Sequence, residues 1–532
     1  MLFSAHSSLL RGVGLAWLLA VVMTVLAGCA GLPENVDRPV SKALTSEVLT
    51  PLGTLVQQRR QLLREGVSGF ALIDSAESAY ASRLALTVGA QKTLDIQYYA
   101  IHADTSTREL LQAVQAAANR GVRVRILLDD FNSTGRNAQV MRMAFLPGVE
   151  MRMFNPLPGW RGLGVLRALG ALNDFQRIQH RMHNKLFIAD NAWGIAGGRN
   201  LGEAYFGYSE QSNFIDLDVL AAGPVVRQMS ASFDRYWNNN LAYPVASLIR
   251  PEELRALREA ETSSQDPVPS ASVPAAPLSS SPLPEDLPPP MDLKELPLIW
   301  APAELLVDQP AKLIPEENDE HTQDTVVDGL LSLIQQAKRD VLIVSPYFVP
   351  GEKMTQTLRV VSARGVRIRV LTNSLASNDA PLAHVGYARY RRELLAMGVE
   401  VHEMRAMQRQ VARTVFGSSG GGSKASLHAK LVVIDGRLIS IGSMNLDLRS
   451  KLQNSEVALL IRSRALSQQA IELVQKTLDE GAWRLNLDEE GNLNWKAPPG
   501  ADFEDALTEP DASLVLRLIL QLLGPFAPDE ML

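Results

Sequence analysis

Cysteine is nearly missing: this chain of 532 residues contains one, Cys29. That excludes an internal disulfide and a cysteine-built metal site. A cationic excess is missing too. Lysine and arginine number 52 against 58 acidic residues, for a formal net charge of −6, and no basic tail is present. The chain as a whole therefore has no long-range attraction for nucleic acid or anionic lipid; only a local basic pocket could supply one. A membrane-spanning run is also lacking near the N-terminus, where the apolar segment from Val13 to Leu26 falls short of the roughly 20 residues a spanning helix needs.

What is present is a globular composition, 46% apolar and 21% charged, in a chain too long for one core. Ordinary domain sizes predict two large domains with additions. The stretch Thr262 to Asp292 is dominated by Pro, Ser and Ala without apolar periodicity and reads as a linker. Two copies of one unit flank it. "KTLDIQYYA" from Lys92 pairs with "RDVLIVSPYF" from Arg339, each a buried strand. "AANRGVRVRILLDD" pairs with "VSARGVRIRVLTNS", each a helix end with a C-capping glycine and then an alternating strand. "GVEMRMF" from Gly148 matches "GVEVHEM" from Gly398. Helices alternate with strands, so each copy is an α/β layer structure. The expected boundaries are a signal over 1–29, an N-terminal segment over 30–68, a first domain over 69–250, a linker over 251–296, a second domain over 297–500 and an apolar tail over 501–532.

Each copy carries a histidine and a lysine two residues apart on an apolar run closed by an aspartate: "RMHNKLFIADN" from Arg181 and "SLHAKLVVIDG" from Ser426. Period two places His183 with Lys185, and His428 with Lys430, on one strand face. "DG" at Asp435 and Gly436 predicts a two-residue hairpin loop, which would set His428 opposite Ser443 with Asn445 just beyond. The first copy has Asp190 and Asn191 at its turn, then Gly198 and Asn200. A histidine, an ammonium and an amide gathered at one strand end suit an anionic oxygen cluster such as phosphate. Asp190 and Asp435 fall on the opposite strand face and read as turn formers, with a direct catalytic part kept open. A lone match of this kind arises by chance. Two matches, each followed at the same interval by GxxN within a larger repeat, do not.

These residues resemble the phospholipase D superfamily, whose signature is HxKxxxxD followed by GSxN, present twice; the similarity runs from about Gly69 to the C-terminus without the linker. Further features, "RMHNK", "GGRNLGEAYF", "FIDLDVLAAGPVV", "YWN" and "DASLVLRLILQLLGPF", resemble the bacterial cardiolipin synthase C type. Gly198 departs from the pattern, which has serine there. The resemblance implies two tandem α/β/α domains related by a pseudo-twofold, with the active site at their interface. It implies that one of His183 and His428 attacks phosphorus to give a phosphohistidine while the other moves protons, with Lys185, Lys430, Asn200, Asn445 and Ser443 around the phosphate. His183 is favoured as the nucleophile.

A nucleophilic histidine needs its other ring nitrogen held in one tautomer. "NSEVALLI" aligns Glu456 with Asp216 of "IDLDVLAA", making these the candidate orienting carboxylates; Asp218, on the same strand face, stays open as the partner in the first half. The implied activity is a phosphatidyltransferase making cardiolipin from phosphatidylglycerol and a second phospholipid, with phosphatidylethanolamine as a candidate. The alternatives are a phospholipase D-type hydrolase, a nuclease, and a catalytically silent lipid-binding protein. No metal and no cofactor is implied, and no nucleic-acid partner is expected. His180 and His183 lack a convincing third metal ligand.

"LAGC" after the apolar N-terminal segment resembles a bacterial lipoprotein signal, with Cys29 as the lipidated residue and Ala30 next to it. That predicts a membrane-anchored protein of the cell envelope facing the periplasm, at the outer membrane. An uncleaved anchor helix is the alternative. "GSSGGGSK" from Gly417 reads as a mobile loop, and Leu514 to Leu523 as a helix for either the protein core or lipid.

Overall fold

The repeated strands form one continuous ladder in the computed structural model, which describes residues 32–45, 50–157, 175–249, 287–314, 325–406 and 424–523, apart from 62, 134 and 210, and also 252, 253 and 255. Residues 1–31 with Cys29, most of the Pro/Ser-rich stretch and all of "GSSGGGSK" but Lys424 lie outside the described residues.

The first half supplies β1 (Val67–Ile73), β2 (Thr93–Tyr98), β3 (Arg123–Asp129), β4 (Val149–Phe154), β5 (Leu186–Ala189), β6 (Trp193–Gly197), β7 (Ser212–Ile215), β8 (Asp218–Ala222) and β9 (Ala242–Pro244). The second supplies β10 (Ile299–Val307), β11 (Asp340–Val344), β12 (Arg367–Asn373), β13 (Glu400–Met404), β14 (Lys424–Leu427), β15 (Leu431–Ile434), β16 (Leu438–Gly442), β17 (Val457–Arg462), β18 (Ala482–Leu487) and β19 (Leu493–Lys496).

Neighbouring strands run in the order β9-β4-β3-β2-β5-β6-β8-β1 and then, mirrored, β10-β17-β16-β15-β11-β12-β13-β18-β19. The expected pseudo-twofold passes through the antiparallel β1/β10 pair, where Gly69 faces Trp300. In each half three neighbouring strands run parallel and the motif hairpin is antiparallel to them. Parallel strands need crossover helices. Thr105–Asn119, capped by the Asp104 side chain, and Gly351–Ala363 fill that place.

Helices Pro224–Trp237 and Arg464–Glu480 lie on the other sheet face and bury Val225, Met229 and Phe233, and Leu466 and Val474, in a core that both halves share. Burying such a side chain contributes about 1.5–3 kcal/mol. That shared core holds the two halves in one arrangement.

The motif hairpins differ from expectation by one residue. Ile434 pairs with Leu438, and Ala189 with Trp193, so each loop holds three residues. Asp190, Asn191, Asp435 and Gly436 take positive φ angles of 52°, 53°, 53° and 60°, the left-handed values that Asn, Asp and Gly tolerate. A one-residue shift moves every facing pair. Ser443 is therefore not opposite His428.

The helix Leu514–Leu523 rests on Leu375 and Val385 through Leu516, and leaves Leu514, Val515, Leu518 and Leu522 between 58% and 73% exposed. Among the described residues no helix is long and apolar enough to cross a membrane.

Candidate active site

Each catalytic candidate lies just before a hairpin strand, where the backbone leaves its own sheet and reaches the other half. In the second half β14 pairs in parallel with β7, so the His428 N–H donates to the Ile215 carbonyl at 2.7 Å, and Asp216 is the next residue. In the first half Met182 bridges to Ser455, the His183 N–H donates to the Ser455 carbonyl at 3.0 Å, and Glu456 follows. Each motif is thereby set against the carboxylate of the opposite half.

The imidazoles complete the crossing. His183 Nδ1 lies 3.0 Å from both Glu456 carboxylate oxygens, and His428 Nδ1 lies 2.6 Å from Asp216 Oδ2. Both expected carboxylates are at the histidines, but each serves the histidine of the other repeat. Asp218 is not the partner of His183. It pairs with Arg83 at 2.8 Å and with Arg199 at 3.4 Å.

Ser443 and Ser450 both donate hydroxyl hydrogens to Glu456, Ser450 at 2.8 Å. The Val457 N–H in turn donates to Ser443 Oγ at 3.1 Å, which leaves the serine hydrogen directed at Glu456. Ser443, expected at the phosphate, thus supports the carboxylate that holds His183. Gly198 stands at the matching place because Asp216 is too near: a Cβ there would lie 2.5 Å from Asp216 Oδ1. The missing serine of the first motif is a packing requirement.

Two further residues that the sequence reading did not single out grip the backbone beside the histidines. Asp129 at the end of β3 accepts from the Met182 N–H at 2.9 Å and pairs with buried Arg181 at 2.7 Å. Asn373 at the end of β12 exchanges two hydrogen bonds with the backbone of Leu427, each 2.9 Å. Their shared position at the ends of "RILLD" and "RVLTN" was the available signal. Tyr99 packs edge-on against His183 at 5.1 Å between ring centres, and Phe214 and Tyr205 lie against His428 at 5.0 and 5.3 Å.

Lys185 donates to the His183 carbonyl at 2.8 Å, and Lys430 donates to that of His428. Each ammonium keeps further hydrogens for an anion. The amides are unequal. Asn200 uses its oxygen on the Ala100 N–H at 3.2 Å and its NH2 group on the Tyr205 hydroxyl at 2.9 Å. The Asn445 amide oxygen is buried without a partner among the described residues.

Asp190 and Asp435 are not brought to the histidines. Each caps the far hairpin end: Asp190 accepts from the N–H groups of Gln91, Lys92 and Thr93, and Asp435 from those of Lys338, Arg339 and Asp340. Seven residues of near-extended chain separate them from His183 and His428, roughly 20 Å. They anchor the hairpin to the strand beside it, which corrects the expectation of a catalytic part.

Burial shapes the site's titration. It pushes Glu456 up to about 7, against the pull of Lys185, and lowers Lys185 to about 7 and Lys430 to about 8. His183 is held well below the ordinary histidine value by burial and then by Lys185, Lys430 and His428. His428 is lowered by burial and Lys430, while Asp216 works in the opposite direction. Burial opposes ionisation of Asp216, yet His428 and Lys430 keep it below the usual carboxylate range. These mutual effects mark one electrostatic site built from both halves. It presents two imidazoles with their Nε2 atoms uncommitted to either carboxylate, beside two lysines.

Both halves of the chain resemble known proteins. A family profile described as "Cardiolipin synthase, PLD-like domain" matches residues 85–237 and again 330–478. The chain is 38% identical over 469 residues to cardiolipin synthase C of Escherichia coli K12, covering 88% of this chain and 96% of that one. It is 27% identical to cardiolipin synthase A of Pseudomonas entomophila L48, covering 77% of this chain and 68% of the other. A structural likeness to phosphatidylserine synthase from Haemophilus influenzae Rd KW20 has a TM-score of 0.49 at 15% identity, over 80% of this chain and 89% of that one. With both halves matched and both motifs meeting at one shared site, the chain belongs to the cardiolipin synthase family of phospholipase D-like proteins.

Proposed function

We propose that this protein makes cardiolipin by moving a phosphatidyl group from one phospholipid to the hydroxyl of another, through a phosphohistidine. The observation that carries the reading is the crossed pairing of His183 with Glu456 and His428 with Asp216. Displacement at phosphorus needs an attacking group on one side and a proton donor for the leaving oxygen on the other. Two fixed imidazoles from two halves meet that need.

The titration of the pair supports distinct roles. His183 is the more strongly depressed and faces the carboxylate that ionises less readily, which favours a neutral nucleophile. His428 is depressed less, because ionised Asp216 draws its ring toward the protonated form, and it enters the reaction as the imidazolium. His183 Nε2 attacks phosphorus, the bond to the leaving headgroup oxygen breaks, and His428 gives that oxygen its proton. The acceptor hydroxyl then loses its proton to His428, its oxygen attacks phosphorus, and the P–N bond breaks to restore His183. Lys185, Lys430 and Asn445 face the charge on the non-bridging oxygens. Asn200 and Ser443 hold the surrounding framework.

The substrates on this reading are phosphatidylglycerol and a second phospholipid, with phosphatidylethanolamine as the other candidate donor. Bilayer contact is supported by the exposed face Leu514, Val515, Leu518 and Leu522, whose helix packs on Pro381–Ala388. That helix follows Asp379, which accepts from Tyr347 and from Ser426, two residues before His428. The apolar face therefore flanks the active-site approach. Lipidation of Cys29 and a periplasm-facing position at the outer membrane complete the proposal and rest on the sequence. Purified protein is given each phospholipid singly and then mixed, and cardiolipin, phosphatidic acid and released alcohol are quantified. Cardiolipin as the main product supports transfer. Phosphatidic acid under every mixture overturns it in favour of hydrolysis.

A further inference from the structure

The two halves differ at the end of the sheet remote from the histidines. There the second half has an open cleft of about 1000 Å3 lined by Lys338, Arg339, Arg367, Arg369, Arg437 and Arg464. Three carboxylates adjoin these six cations. Asp435 is engaged by three backbone N–H groups and lies 4.0 Å from Arg437, Glu400 takes Arg367 in a two-point contact at 2.6 and 2.9 Å, and Asp340 lines the wall.

The first half shows what neutralising this place looks like. Arg125, on β3 where Arg369 stands on β12, meets Asp95 at 2.7 Å and Asp234 at 2.8 Å. The N-terminal segment closes over it, as Arg125 donates to the Ser41 carbonyl at 2.9 Å and Asn191 to that of Leu44 at 2.8 Å. In the second half the neighbour of Arg369 on β11 is Leu342 in place of Asp95, and its helix partner is the neutral Gln475 at 3.0 Å. Arg369 is 8% exposed, and its Nε has no hydrogen-bond partner among the described residues. Cations are also added: Lys338 stands where the first half has Gln91, Arg437 where it has Ala192, and Arg464 opens the helix that Pro224 opens in the first half.

Glu400 faces Arg369 from β13 but is taken by Arg367, and a buried guanidinium with no carboxylate hydrogen-bonded to it is costly unless something anionic meets it. Guanidinium forks match phosphate oxygens in two-point contacts, and the first turn of Arg464–Glu480, which has no acidic residue, adds the positive end of a helix. We propose that this cleft binds a phosphate-bearing anion at a site separate from the catalytic histidines. β15 connects the two places, with Lys430 before its first residue and Asp435 after its last. The ligand is either a soluble phosphate compound or the headgroup of an anionic phospholipid, and the chemistry of recognition is common to both.

The test uses the whole chain and two probes, inorganic pyrophosphate by calorimetry and phosphatidylglycerol vesicles against phosphatidylcholine vesicles by sedimentation. Arg437→Glu and Arg464→Glu change exposed side chains and leave the core intact; Lys496→Glu, an exposed lysine elsewhere, is the charge-matched control. Each cleft variant should weaken binding of at least one probe about tenfold, with the control unchanged. Loss confined to pyrophosphate assigns a soluble ligand, and loss confined to phosphatidylglycerol vesicles assigns a lipid headgroup. Equal behaviour of cleft variants and control with both probes, or no binding of either probe by the unaltered chain, overturns the site.

Discussion

Glu456 holds His183 at 3.0 Å although 273 positions separate the two residues. Asp216 holds His428 in the same way from the opposite half. Neither half therefore contains a complete histidine–carboxylate pair, and the activity belongs to the docked halves together. A carboxylate in this position fixes the tautomer and steadies the charged ring. Glu456→Gln and Asp216→Asn should each lower kcat by about 10²–10⁴ while the fold is kept. Steady-state kinetics beside circular dichroism checks this.

His183→Ala and His428→Ala should each lower turnover by at least about a thousandfold, because each removes one side of the displacement. Product formation by either folded variant within tenfold of the unaltered chain would contradict a shared site.

Gly198→Ser should damage the protein even though the second motif has serine at this place. Its Cβ would collide with the Asp216 carboxylate at 2.5 Å and drive it from His428. Ser443→Ala removes one donor from Glu456 and leaves Ser450 in place, so its loss should be milder, about tenfold in kcat. Parallel kinetics of the two variants decides the order.

The free enzyme should be active over a narrow pH range. As pH falls through about 7, Glu456 gains a proton and His183 loses its anionic partner. As pH rises, Lys185 loses its charge near 7 and Lys430 near 8, and phosphate attraction goes with them. The profile of kcat/KM should be bell-shaped with its maximum between these limbs. That of kcat should extend further into alkali, since bound phosphate keeps both lysines charged.

Asp435→Ala should reduce stability more than chemistry, by about 1–3 kcal/mol, since three backbone N–H groups lose their acceptor. Burial alone would raise its pKa, but those N–H groups hold it below the ordinary value. The stabilisation is thus complete above the unfolded carboxylate value of about 3.9 and is lost as pH falls through the folded one. Thermal melts at neutral and acid pH should show the variant's deficit shrinking in acid.

Three strand pairs, the motif hairpins and the repetition itself were legible because apolar alternation, capping glycines and repeats are local signals; the order of strands in the sheet was not. Nor was the crossing. Alignment of the repeats picked out Asp216 and Glu456, which the fold brings to the histidines, yet it matches each with its own half, and only docking decides which imidazole a carboxylate meets. The hairpin register was misread by one because Asp435 and Gly436 sit in a three-residue loop. Gly198 read only as a departure from the serine of the pattern, because the nearness of Asp216 is invisible in a string of residues.

The most direct test of the shared, crossed site is to quench the enzyme during turnover of labelled phosphatidylglycerol under alkaline conditions, which preserve a phosphoramidate, and to map the modified peptide. The account predicts the phosphatidyl group on His183 and its loss in Glu456→Gln. Label on His428, or on no histidine, would contradict it.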